Sequence, residues 1–142
     1  MSGGKTVAQL LSEAAAKTPF MSLKELNDRI GGNSRDLVVL DIREKDAFDA
    51  GRVPGARHLP RGQLELRVNS DLPDPTARIL TYCEFGKIST LAAATLRDLG
   101  YTRAVALDGG MQAWREAGYP IETDASAPVA IGPGELEAGA GV

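Results

Sequence analysis

The chain is poor in the side chains that usually carry chemistry. Its 142 residues hold one cysteine, Cys83, and one histidine, His58. A single cysteine excludes an internal disulfide framework and a Cys-x-x-Cys redox pair. One cysteine and one histidine cannot build a four-ligand zinc site without several carboxylates beside them, and the sequence shows no such cluster, so neither a metal nor a cofactor is expected. Long apolar runs are also missing: none approaches the roughly 18 residues of a membrane span. The first residues lack the unbroken apolar core of a signal peptide, so the expectation is a cytoplasmic protein away from membranes. Nor is there an excess of basic charge. With 16 Lys and Arg against 19 Asp and Glu, the net charge of −3 makes no electrostatic case for nucleic acid.

What is present is ordinary for a globular domain: 43% hydrophobic and 25% charged residues, in a length that supports one core. Val7, Leu10, Leu11 and Ala14 fall on one side of an amphipathic helix. Phe20-Met21 reads as a short edge strand. Ser22-Leu23-Lys24-Glu25 reads as a capping box that opens a helix packed through Leu23, Leu26 and Ile30, with Gly31-Gly32 closing it. Leu37 to Leu40 is a continuous apolar run, as in strands covered on both faces of a parallel sheet. A short helix over Glu44 to Ala50, a strand over Ala56 to Leu59, a weak helix over Gln63 to Val68 and a loop over Asn69 to Pro75 follow. Arg78 to Tyr82 and Ala104 to Leu107 are the next buried strands. A last helix runs from Met111 to Ala117, with Trp114 in the core. Helices and strands alternate, which predicts an α/β domain with a mainly parallel sheet.

Cys83 stands where a strand ends and a helix begins. Ile88, Leu91, Ala92, Thr95, Leu96 and Leu99 recur at helical spacing and predict the packing face of that helix, with Gly100 stopping it. The first amides of a helix lack intrahelical acceptors and favour negative charge. Gly86 lets the loop backbone turn inward. The loop therefore reads as a cradle of N–H groups around a sulfur anion. The same position also suits a buried thiol acting as a small hydrophobe. The three central strands end at Asp41, Cys83 and Asp108. Parallel strands bring these to one sheet edge, where ligands of open α/β sheets bind, and this favours a functional thiol.

Four separated segments together resemble the rhodanese family: Val39-Leu40-Asp41-Ile42-Arg43, Gly51 through His58, Leu80-Thr81-Tyr82-Cys83 with Gly86 and Ser89, and Leu107 through Trp114. The resemblance runs from about Phe20 to Ile121. It implies a three-layer α/β/α fold around a five-stranded, mainly parallel sheet, here with an extra N-terminal helix. Residues 1–19 are then an extension, 20–122 the rhodanese-like domain and 123–142 an Ala-, Gly- and Pro-rich tail. The implied activity is sulfur transfer. Cys83 takes sulfane sulfur from thiosulfate or a persulfide, holds it as a persulfide, and passes it to an external thiol, a protein acceptor or cyanide. The substrate-binding residues implied are Glu84, Phe85, Gly86, Lys87, Ile88 and Ser89, with Arg61 supplying charge from the rim. Many members carry arginine at the place of Ile88 and often a cation at that of Glu84. Here the loop sets only Lys87 against Glu84, which attracts an anionic donor less than an arginine-rich loop would.

Other residues read as structural. Asp41 and Arg43 are expected to pair with loops at the sheet edge, His58 to be hydrogen-bonded, and Asp108 to shape the start of the last helix and its N-cap. Two other functions compete. A cysteine-loop phosphatase needs an arginine six residues after the cysteine, where this sequence has Ser89. A non-catalytic module would use the fold as a protein-binding surface. The N-terminal helix, and a tail anchored by Val129, Ile131 and Leu136, allow a homodimer.

Overall fold

The computed structural model describes residues 4–32 and 36–124. Its centre is a strand pair, β2 (Leu37–Asp41) and β4 (Arg78–Tyr82), in parallel register from Leu37 opposite Arg78 to Asp41 opposite Tyr82. Both strands are rich in branched apolar residues, which suit a pleated surface covered on both sides. β5 (Ala104–Leu107) continues the sheet beyond β4, and β1 (Phe20–Met21) pairs with β5. β3 (Arg57–His58) closes the other edge on β2. The order is β1-β5-β4-β2-β3, and every strand pairing in it is parallel. The chain is therefore the five-stranded α/β fold expected, with a sheet that is wholly parallel.

Alternation along β4 sorts its side chains between two cores. Ile79 joins Leu64, Val68, Ala92, Ala93 and Leu96 on one face, beneath α4 (Leu64–Asp71) and α5 (Lys87–Asp98). Leu80 and Tyr82 join Leu26, Met111 and Trp114 on the other, beneath α2 (Leu23–Gly31) and α6 (Gly110–Glu116). Cys83, one residue beyond the strand, falls on the α5 face because side chains alternate with period two. Trp114 is fully buried, as expected, and its indole N–H donates to the Pro120 carbonyl at 2.7 Å. Each large side chain buried in this way contributes about 1.5–3 kcal/mol.

α1 (Val7–Lys17) packs outside α5. Its start is a full capping box: the Gln9 N–H donates to Thr6 Oγ1, and the Thr6 N–H donates to Gln9 Oε1. Ser22 caps α2 by accepting the Glu25 N–H at 3.0 Å, but the Glu25 carboxylate accepts from Arg29 instead of reaching back. α3 (Lys45–Ala50) is shorter by one residue than expected, with Glu44 as its N-cap residue. A 3-10 turn at Arg61–Gln63 runs into α4, which continues to Asp71 through residues read as loop. The face of α5 also differs. Ser89, Thr90, Ala92, Ala93, Ala94 and Leu96 are buried, whereas Ile88 and Leu99 are exposed. Small side chains let this helix lie close to the sheet, and apolar periodicity alone does not reveal a face built of alanine, serine and threonine.

After α6 the chain crosses back over the α3–β3 connection. Arg52 and Glu122 form an antiparallel bridge, and the Arg52 guanidinium meets Glu122 at 3.0 Å and Asp124 at 2.8 Å. The segment before Ala125 is thus docked on the domain. The tail anchors Val129, Ile131 and Leu136 lie outside the described residues. No helix among the described residues is long and apolar enough to cross a membrane.

Candidate active site

Parallel strands carry their C-terminal ends to one edge, and the loop after β4 opens there. Cys83 is largely buried, and its Sγ lies 3.2 Å from the Gly86 N–H and 3.3 Å from the Ser89 N–H, both of which donate to it. The Ser89 hydroxyl is 3.4 Å from the sulfur and itself donates to the Gly86 carbonyl. In the thiol form the S–H donates to this hydroxyl. In the thiolate form the two amides at the start of α5 oppose the negative charge. Gly86 stands at φ +100°, a left-handed conformation that ordinary side chains resist.

The loop is held from behind by α6. The Met111 N–H donates to the Cys83 carbonyl and the Gln112 N–H to the Glu84 carbonyl, each at 2.9 Å. Free amides at the start of one helix thereby satisfy the carbonyls of the cradle loop. Gly110 makes this approach: a Cβ there would sit 2.7 Å from the carbonyl oxygens of Cys83 and Glu84, at φ +68°. Gly110→Ala is expected to cost at least about 2 kcal/mol through that clash and the left-handed backbone. Thermal melting checks it, and an unchanged melting temperature would contradict the close approach.

Asp41 is completely buried and does not face the site directly. Its carboxylate accepts from the backbone N–H, Nε and Nη2 of Arg43, and from the Tyr82 hydroxyl at 2.6 Å. Burial first, then the Asp41 charge, pushes the Tyr82 hydroxyl far above its ordinary pKa, so it stays protonated and donates. Burial tends to lower the Arg43 pKa, but the hydrogen bond and attraction of Asp41 prevail and raise it. Arg43 also reaches Glu84 at 3.2 Å, and Arg115 reaches the same carboxylate at 2.7 Å. Glu84 is therefore no bare negative charge at the loop, as the sequence reading had it. It is a tether compensated by two guanidinium groups.

Above the sulfur lies a pocket of about 380 Å³, lined by Cys83, Glu84, Phe85, Lys87 and Ile88 from the loop and by Ile42, Arg43, Glu44 and Arg61 from the neighbouring connections. Its exposed walls are mostly carbon. Phe85 and Ile88 are exposed at its lip, at 64% and 50%. Arg61 reaches the rim, where it also pairs with Glu65 at 2.8 Å. Of the residues named from sequence, those of the loop and Arg61 thus come together around Cys83, with Gly86 and Ser89 acting through their amides. Asp41 and His58 stand behind the site. His58 Nε2 bonds the Arg43 carbonyl at 2.8 Å, and its ring stacks on Phe48. Asp108 does not cap α6: Gly109 is the N-cap residue, and the exposed Asp108 anchors β1 through its backbone N–H to the Met21 carbonyl. Ile42, Glu44, Gly110 and Arg115 were not named as site residues from the sequence. The first two follow directly from Asp41 at the same sheet edge and were legible. Among the described residues, no group of three or more His, Cys, Asp or Glu could hold a metal ion.

A family model, that of the Rhodanese-like domain, matches residues 22–117. The chain belongs to this family. The thiosulfate sulfurtransferase GlpE of Pseudomonas putida is 44% identical over 87 residues, which are 61% of this chain and 76% of that one. Among solved structures, a Rhodopseudomonas palustris protein of unknown function, called a possible tyrosine phosphatase, superposes with TM-score 0.76 and 29% identity. That match covers 86% of this chain and 98% of the other. A thiosulfate sulfurtransferase from Pseudomonas aeruginosa gives TM-score 0.67 and 31% identity, over 75% of this chain and 20% of that larger protein. In this rhodanese-like domain the cysteine, the glycine that turns the loop and the serine amide behind the sulfur all lie in the matched region.

Proposed function

We propose that the chain is a sulfurtransferase that carries sulfane sulfur on Cys83. The observation that carries the reading is the Cys83 sulfur itself, held by the Gly86 and Ser89 amides at 3.2 and 3.3 Å on the floor of an open pocket. The likeness to proteins named thiosulfate sulfurtransferases supports it.

The reaction has two steps, as covalent catalysis by a thiolate requires. First, the Cys83 thiolate attacks the outer sulfur of a donor. With thiosulfate, the S–S bond of the donor breaks, sulfite leaves with the bonding electron pair, and Cys83–S–S⁻ remains. Second, an acceptor thiolate or cyanide attacks the terminal sulfur, and Cys83 departs as the thiolate. Sulfur passes on in the same oxidation state, so no external oxidant or reductant enters. The negative charge stays on sulfur throughout, next to preorganised N–H donors that need no reorientation. The chain has no second cysteine, so the acceptor comes from outside it.

The phosphatase reading has one observation in its favour, the name given to the R. palustris structure. Position 89 weighs against it. A phosphate needs a bidentate guanidinium clamp there. This chain has Ser89, whose hydroxyl bonds the Gly86 carbonyl.

The test is intact-mass measurement after incubation with thiosulfate or a persulfide. One added sulfur is expected on the wild type and none on Cys83→Ala. Loading that persists in the variant would refute the assignment, as would a wild type that no donor loads.

A further inference from the structure

Three of the five charged groups that line the pocket are spent on the protein itself. Arg43 is committed to Asp41 and Glu84, Arg61 to Glu65, and Glu84 to Arg43 and Arg115. Lys87 and Glu44 are the exceptions: both are exposed in the lining and form no ion pair among the described residues, which leaves Lys87 as the lining's unpaired cation. The remaining surface over the sulfur comes largely from Phe85, Ile88 and Ile42, whose side chains have no hydrogen-bonding atom.

This arrangement does not suit a small inorganic dianion. The leaving half of thiosulfate carries three oxygens that need donors, and oxygens set against carbon without hydrogen bonds lose their hydration uncompensated. A volume of about 380 Å³ is at the scale of pockets that enclose small organic molecules. Resting on the reading of Cys83 as the sulfur carrier, we infer that the donor selected here is an organic persulfide, R–S–SH, whose carbon chain packs on Phe85 and Ile88 and whose single carboxylate faces Lys87. The Cys83 thiolate attacks the outer sulfur. The donor's S–S bond breaks, R–S⁻ leaves with the electron pair, and the outer sulfur with its proton is now in Cys83–S–SH. Atoms, charge and oxidation state balance with no further reactant.

Two persulfides of similar size isolate the carboxylate: mercaptopropionate persulfide, which has one, and mercaptoethanol persulfide, which has none. Thiosulfate is the third donor. The readout is the single-turnover rate of sulfur loading on the protein, by mass. Lys87→Met is expected to slow the carboxylated donor about two- to fivefold more than the neutral one, the scale of one exposed ion pair. Donors differ in intrinsic reactivity, so the pocket's share is read from ratios between variants. Ile88→Arg, which adds donors at an exposed position, is expected to shift the rate ratio at least about tenfold toward thiosulfate, the worth of one charge-assisted hydrogen bond. A shift in both ratios supports the assignment. If Lys87→Met slows the two persulfides alike, or if Ile88→Arg leaves the persulfide-to-thiosulfate ratio unchanged, the donor assignment falls while Cys83 remains the carrier. Loading by none of the three donors would overturn the carrier reading as well.

Discussion

Cys83→Ser is expected to lower sulfur transfer by at least about a thousandfold, the scale of losing a nucleophile with its site otherwise intact. Serine keeps the shape and presents an oxygen to the same Gly86 and Ser89 amides that hold the sulfur at 3.2 and 3.3 Å. The carbonyls of Cys83 and Glu84 remain held by α6, because those bonds involve only backbone. Melting is therefore expected to stay close to that of the wild type, and the loss is chemical: an alkoxide is not accessible at neutral pH, and oxygen does not form a chain of sulfur atoms. Steady-state transfer to cyanide, measured beside a thermal melt, checks both halves. A variant that retains a tenth of the activity would contradict the assignment.

The largest stability effect is expected behind the site. Asp41→Ala removes a fully buried carboxylate that receives four hydrogen bonds from three Arg43 groups and one from Tyr82. The Arg43 side chain is itself only 8% exposed, so its charge would be left buried with Glu84 as its remaining ionic partner. Breaking a buried pair from one side costs about 3–5 kcal/mol, a large part of a small domain's total stability. The Tyr82 hydroxyl would lose its acceptor while still receiving the Val53 N–H. Chemical denaturation should show the loss, with Arg43 shifting onto Glu84 and the loop disturbed in consequence. A cost below about 1 kcal/mol, the scale of an exposed pair, would show that this network does not organise the sheet edge.

The difference between what was legible and what was not lies in the range of the interactions. Strands covered on both faces write themselves as continuous apolar runs, so Leu37 to Leu40 and Ala104 to Leu107 were readable without a partner in view. The turn at Gly86 and the helix after it placed Cys83 at a helix start, and strand endings placed it at the sheet edge. Four spaced motifs then narrowed the family. The compensation of Glu84 was not legible, because Arg43 and Arg115 stand 41 and 31 residues away and nothing local pairs them with it. The need for glycine at position 110 was not legible either. Its reason, two carbonyl oxygens of the cysteine loop, exists only once α6 is folded against β4. The docking of Glu122 and Asp124 on Arg52 was hidden for the same reason. Ile88 misled the periodicity count: an apolar residue at helical spacing suits a packing face, yet here it lines the pocket mouth.

The central claim is that one atom, the Cys83 sulfur, holds the sulfur in transit. It is tested most directly by a chase. Protein loaded with one sulfur is freed of donor and mixed with cyanide, and both the protein mass and the thiocyanate formed are followed over a single turnover. The account predicts that the added sulfur, mapped to the peptide containing Cys83, disappears at the rate thiocyanate appears, one for one. Thiocyanate forming while the sulfur stays on Cys83, or sulfur mapped to any other residue, would contradict it.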